Sequence, residues 1–189
     1  MKLQGILPFT RDLLAQRVNK GDLVVDATMG NGLDTLFLAK LVGEAGQILA
    51  YDVQQEALDH TRERLMREKI ATPVELMLKG HETVAEELQH AKKPLAAAMF
   101  NLGYRPGSDK SIVTVPQTTL QAIQSLCQYL KPNGLITLVI YSGHESGKQE
   151  KDQLLARLGT WDQKEFDVLQ YQFINQQNSP PFLLVIQKK

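Results

Sequence analysis

Two carboxylates and two glycines sit close together in the stretch 24–35, VVDATMGNGLDT: Asp26, Gly30, Gly32 and Asp34. Glycines permit backbone angles that side chains forbid and let a ligand approach the main chain closely. Placed just ahead of a helix, they also leave the first N–H groups of that helix open. This is the chemistry of a loop that cradles a nucleotide-like ligand, with Thr28 and Asn31 as its polar members. The dinucleotide fingerprint requires a third glycine three residues after the second, and Thr35 stands there instead. A carboxylate at Asp26 favours a cationic ligand and opposes a pyrophosphate. Asp34 opens the next helix, where it either caps the helix or touches the ligand.

Three further stretches carry chemistry. Asp52 ends the next apolar run, and a carboxylate there can accept from both hydroxyls of a ribose; Gln54 reaches the same edge. Gly80-His81-Glu82 follows the third run; both His81 and Glu82 can accept hydrogen bonds there, with Glu82 alternatively a first-turn helix acid. Asn101-Leu102-Gly103-Tyr104 follows the fourth. There an amide can accept the protons of an amine and aim its lone pair, and an aromatic face can hold a base. Arg105 and Lys110 flank this stretch as candidate phosphate contacts, and Asp109 or His144 could assist removal of a proton. His60, His81, His90 and His144 show no metal-ligand spacing, so no metal is expected.

These residues need strands and helices to position them. Apolar runs at 23–27, 47–51, 74–78, 95–100, 135–141, 166–173 and 182–187 read as strands. Helical patterns at 9–19, 35–42, 55–69, 82–91, 118–130 and 148–158 separate them, with Thr10 able to cap the first and Pro132-Asn133-Gly134 ending the fifth. Such alternation predicts an α/β, Rossmann-like, mostly parallel sheet of seven strands with helices on both faces. Only residues 174–181 join the last two strands, too few for a helical crossover, so the final strand is expected to be antiparallel. Ligands in such sheets sit at the carboxyl ends of the strands, where every stretch above is placed. The whole chain, 1–189, is expected to form one domain, with 1–20 as an N-terminal helical extension.

Composition narrows the partners. With 21 basic against 21 acidic residues, bulk charge neither demands nor excludes a nucleic acid. One cysteine, Cys127, permits no internal disulfide, which suits a reducing cytoplasm. The short apolar stretch near the start is broken by Pro8 and does not read as a signal peptide, and no run is long enough to span a membrane.

Asp26-Ala27-Thr28-Met29-Gly30-Asn31-Gly32 resembles the first motif of class I methyltransferases that use S-adenosylmethionine (SAM), with Thr28 where another glycine is common. Asn101 and Tyr104 match the Asn/Asp-Pro-Pro-Tyr/Phe motif of amino-group methyltransferases, while Leu102 and Gly103 depart from its prolines. The longer strings DATMGNGLDT and FNLGYRPGSDKSIVT, with the strand-two acid, resemble the YtqB/MnmM-like family. That resemblance implies SAM-dependent N-methylation of the aminomethyl group of 5-aminomethyl-2-thiouridine at the wobble position of tRNA. It assigns Asn101 and Tyr104 to catalysis. Asp26, Thr28, Gly30, Asn31, Gly32, Asp34, Asp52, Gln54, His81 and Glu82 go to the cofactor, and Arg105 and His144 to the substrate. A tRNA anticodon arm is the expected partner, and a homodimer is expected because a neutral domain of this size has little surface with which to grip it. An rRNA or small-amine methyltransferase is the alternative; a non-catalytic nucleotide-binding Rossmann protein is the reading from a different class.

Overall fold

The computed structural model describes residues 3–103, 114–143 and 145–189. Inside its sheet β1 (Leu23–Asp26) is flanked by β2 (Gln47–Asp52) and by the central β4 (Leu95–Leu102). Every residue of β1 is buried, and of β4 all but Asn101. Strands covered on both faces lose the polar alternation of a half-exposed strand, which is why LVVD and LAAAMFNL are near-continuous apolar runs. β3 (Val74–Leu78) lies outside β2, and β5 (Leu130–Ile140) outside β4. β7 (Phe182–Lys188) slots between β5 and β6 (Phe166–Tyr171), antiparallel to both. The order is β3-β2-β1-β4-β5-β7-β6. The seven strands and the antiparallel final strand agree with the sequence pattern.

Helices cover both faces. On one, α1 (Ile6–Arg17), α2 (Leu33–Val42) and α3 (Gln55–Arg67) bury Leu14, Leu38, Val42 and Leu58 against Val24, Ile48, Ala97 and Met99. On the other, the short α4 (Ala85–Leu88), α5 (Pro116–Tyr129) and α6 (Glu145–Leu158) enclose Tyr51, Phe100, Ile136 and Leu138. Burying one such large side chain contributes about 1.5–3 kcal/mol, so this double-sided core is the main support of the site at its rim. α5 shows the cause in sequence: Thr119, Ala122, Ile123, Leu126 and Cys127 recur at helical spacing and are all buried.

Several boundaries differ from the pattern in the sequence, the following four among them. α1 begins three residues early because Pro8 falls in its first turn, where a missing N–H costs nothing; Thr10 does not cap it but returns its hydroxyl to the Ile6 carbonyl at 2.8 Å. The stretch 82–91 is a 3-10 turn, His81–Thr83, followed by the single turn of α4. β5 begins at Leu130, through the Pro-Asn-Gly expected to lie outside it, with Asn133 absorbing a φ of 62°. β4 continues two residues past its expected end, because Asn101 and Leu102 still pair with Val139 and Ile140 of β5.

Candidate active site

A cavity of about 930 Å³ opens over the carboxyl ends of β1, β2, β3 and β4. Its floor is the loop after β1. Gly30 (φ 50°) and Gly32 (φ 73°) turn the chain into α2. At Gly32 the reason for glycine is double: a Cβ there would lie 2.7 Å from Thr61 Oγ1 and 2.9 Å from Thr61 Cα on α3. That close approach lets α3 hold the loop, with Thr61 Oγ1 donating to the Gly30 carbonyl at 3.3 Å and Arg64 Nε to the Asn31 carbonyl at 2.8 Å.

Two carboxylates pin the loop from beneath and beside. Asp26 is buried; it accepts the Thr35 hydroxyl at 2.6 Å and the Thr28 N–H at 3.2 Å. Burial, helped by the nearby Asp34 charge, pushes its pKa up to about 7. Asp52 accepts the Gly30 N–H at 3.0 Å through one oxygen and the Gln54 N–H at 3.0 Å through the other. A carboxylate has about four acceptor positions, so two remain for hydroxyl donors in the cavity that Asp52 lines.

His81 is buried beneath the cavity wall, its ring edge-on to Phe100 at 5.3 Å. Its Nδ1 lies 3.0 Å from the Ala27 carbonyl, which can only accept, so the proton sits on Nδ1. Burial holds the ring pKa below its ordinary value, keeping the ring neutral. Nε2 is therefore a lone-pair acceptor, buried and without a hydrogen-bond partner among the described residues. A buried acceptor in that condition needs a donor from outside the described residues, a water or a ligand.

Asn101 closes the arrangement. Side chains alternate along a strand, so Asn101 shares the face of Ala97 and Met99, the face covered by α1 and α2. There its Nδ2 donates to Asp34 Oδ2 at 2.5 Å, and Arg11 of α1 binds Asp34 Oδ1 at 2.9 Å. Asp34 is thus neither a helix cap nor simply exposed; it bridges α1 to β4. The amide oxygen of Asn101 accepts no bond among the described residues. Tyr141, just past β5 and half-exposed, borders the same cavity, as do Leu33 and Val115. On the far side of Leu102, Gly103 and Thr114 bond to each other, and Thr114 Oγ1 donates to the buried Glu150 at 2.6 Å.

Of the residues singled out in the sequence, Thr28, Gly30, Asn31, Asp34, Asp52, Gln54, His81, Glu82 and Asn101 line this cavity. Asp26 and Gly32 support the loop from behind it. Tyr104, Arg105, Asp109, Lys110 and His144 lie outside the described residues. The sequence pattern missed Arg11, Lys79, Thr114 and Tyr141, which also line the cavity. Among the described residues no group of three or more His, Cys, Asp or Glu side chains gathers to hold a metal, and no helix is long and apolar enough to cross a membrane.

Residues 48–187 match the family model described as "Putative rRNA methylase". A "putative rRNA-methylase" crystal structure from Clostridium thermocellum is 41% identical over the full length of both chains, with a TM-score of 0.95. A "putative methyltransferase" from Streptococcus mutans, solved in complex with SAH, is 39% identical over the full length of both, with a TM-score of 0.89. The chloroplastic tRNA (mnm(5)s(2)U34)-methyltransferase of Arabidopsis thaliana is 34% identical over 183 residues, 92% of this chain and 66% of that protein. The chain thus spans just under two thirds of that relative, and 45% of a more distant C-methyltransferase from Klebsiella pneumoniae.

Proposed function

Because the chain belongs to the rRNA-methylase family, we propose that it is a SAM-dependent tRNA methyltransferase acting on the aminomethyl group of 5-aminomethyl-2-thiouridine at the wobble position, giving 5-methylaminomethyl-2-thiouridine. The SAH-bound relative and the U34-methylating relative support this cofactor and this substrate. The observation that carries the reading is Asn101. Its amide faces a large cavity, its nitrogen is claimed by Asp34, and its oxygen is left for a donor.

The residues present fit SAM. Asp52 has acceptor positions left for two ribose hydroxyls. His81 Nε2, orphaned and neutral, receives an exocyclic amino group better than Glu82, whose carboxylate would still find solvent at the cavity wall. Asp26, Thr28, Gly30, Asn31 and Gly32 form and support the loop beneath the methionyl part, where the Asp26 carboxylate suits a cation. Bound SAM supplies an electrophilic methyl group on a sulfonium centre.

The chain's own task is to present a neutral amine in line with that methyl. An alkylamine, like lysine, titrates near 10.4 and is mostly protonated at neutral pH. Asn101 Oδ1 accepts one N–H of the amine and so directs the lone pair away from itself, toward the cofactor pocket. Alignment of this kind is worth orders of magnitude in rate, and small misplacements forfeit it. Tyr141, Leu33 and Val115 give the pyrimidine ring an apolar rim to rest on. The same reading assigns Tyr104 to catalysis and Arg105 and His144 to the substrate, and tRNA binding is taken to involve a second copy of the chain.

Mass spectrometry of nucleosides tests this directly. tRNA carrying the aminomethyl group should gain one methyl when incubated with SAM and the protein. The family description favours ribosomal RNA as a second reading, and methylation of rRNA alone in the parallel reaction would select it.

A further inference from the structure

We infer that Asp34 and Arg11 are positioning residues for Asn101, and that α1 thereby belongs to the active site. The inference rests on the tRNA methyltransferase reading above. It starts from the asymmetry of an amide. Asn101 could turn either its oxygen or its nitrogen toward the cavity, and the two orientations have nearly the same shape. An ionised carboxylate only accepts hydrogen bonds. Facing Asp34 Oδ2 at 2.5 Å, Asn101 must present Nδ2, because the flipped amide would set oxygen against oxygen. The remaining oxygen is then the group available to an amine. Asp34 therefore selects the orientation that accepts a proton from the substrate.

Asp34 is itself held. It lies in the first turn of α2, where the helix favours a negative charge. Its other oxygen takes the Arg11 guanidinium at 2.9 Å, and that guanidinium rests over the Phe37 ring, 5.4 Å from its centroid. Arg11 Nε is buried with no hydrogen-bond partner among the described residues, so the aromatic face and Asp34 fix this side chain between them.

Arg11 has an electrostatic task as well. A bare carboxylate beside the reacting amine would favour its ammonium form, which has no lone pair to donate. Arg11 offsets that charge while leaving the Asp34 geometry in place. The sequence links these residues over long intervals, 23 residues from Arg11 to Asp34 and 67 from Asp34 to Asn101.

The test uses the full chain, SAM and tRNA carrying 5-aminomethyl-2-thiouridine, with SAH affinity measured by calorimetry. Asp34→Ala should lower kcat by about 10- to 100-fold, with SAH affinity within about twofold of the wild type. In 15N spectra of the ligand-free protein, the Asn101 side-chain amide should lose its hydrogen-bonded shift. Arg11→Ala should move the rising limb of the kcat pH profile up by about one unit, and Arg11→Lys should restore it. An unchanged kcat in Asp34→Ala together with an unmoved limb in Arg11→Ala overturns the inference. So does SAH affinity falling in step with activity, which would place the pair in the cofactor site. A wild type that leaves this tRNA unmethylated overturns the parent reading, and this one with it; an active wild type beside fully active variants removes only this one.

Discussion

The hydroxyl of Thr28 accepts the backbone N–H of Asn101 at 2.7 Å, joining two residues 73 positions apart. β1 ends at Asp26, and Ala27 still donates to the Met99 carbonyl at 2.9 Å. The next N–H along that edge of β4 belongs to Asn101 and has no strand left to meet. Thr28 takes it with a side chain, so the ladder gains one more rung. This is a reason for threonine at this position. Thr28→Val keeps the shape but strands the N–H, at a cost of about 1–3 kcal/mol. Thr28→Ser should retain both stability and activity, and thermal melts with single-turnover rates on the same preparations distinguish the two variants.

Asn101→Ala removes the acceptor without touching the loop beneath it. Methyl transfer to tRNA should fall by about 100-fold or more. SAH affinity, measured by calorimetry, should stay within about twofold. A parallel loss of both would reassign Asn101 to cofactor binding.

His81 and Glu82 separate by affinity. His81→Ala removes a buried acceptor, and both SAM and SAH should bind about tenfold more weakly, as expected for one hydrogen bond of roughly 1–1.5 kcal/mol. Glu82→Gln should change little. The opposite ranking would transfer the amino-group contact to Glu82.

Asp26 gives a pH signature. Its pKa is about 7 in the folded protein against 3.8 ordinarily. Between those values the folded state holds a proton that the unfolded chain has released. Asp26 therefore stabilises the ligand-free fold at the acid end of this window, and that contribution declines as pH rises through it, by at most about 1.4 kcal/mol per unit. A cationic ligand favours the ionised form, so SAM affinity should climb with pH up to about 7 and level off above it. Asp26→Asn should flatten both trends in denaturant titrations and calorimetry.

Gly32→Ala tests the loop alone. The positive φ and the Thr61 contact together should cost about 1–3 kcal/mol. For a chain of this length each kcal/mol lowers Tm by about 2–4 °C.

The succession of strands and helices along the chain and the glycine loop were legible because periodicity and loop chemistry are local. Asp52, Gln54 and the Gly80–Glu82 turn were legible for the same reason: each follows an apolar run directly. The bridge from Arg11 through Asp34 to Asn101 was not. It depends on which face of β4 carries Asn101 and on how α1 crosses the sheet, and neither is encoded near those residues. Asn101 itself was found but misplaced, in a loop rather than on a strand. Its pairing with Val139 is set by a register between chain segments almost forty residues apart. That difference matters to the chemistry, since a strand holds an amide more firmly than a loop does.

The position of β7 has a consequence for how the molecule assembles. β5 meets β7 on one side, and β6 touches the sheet only through β7. Until residues 182–188 insert, β5 therefore presents an open edge and β6 has no partner at all. An unpaired edge is a template for the wrong strand, including one from a neighbouring molecule. β7 thus closes β5 and anchors β6 at once, and a chain cut before residue 182 would carry an open β5 edge and an unanchored β6.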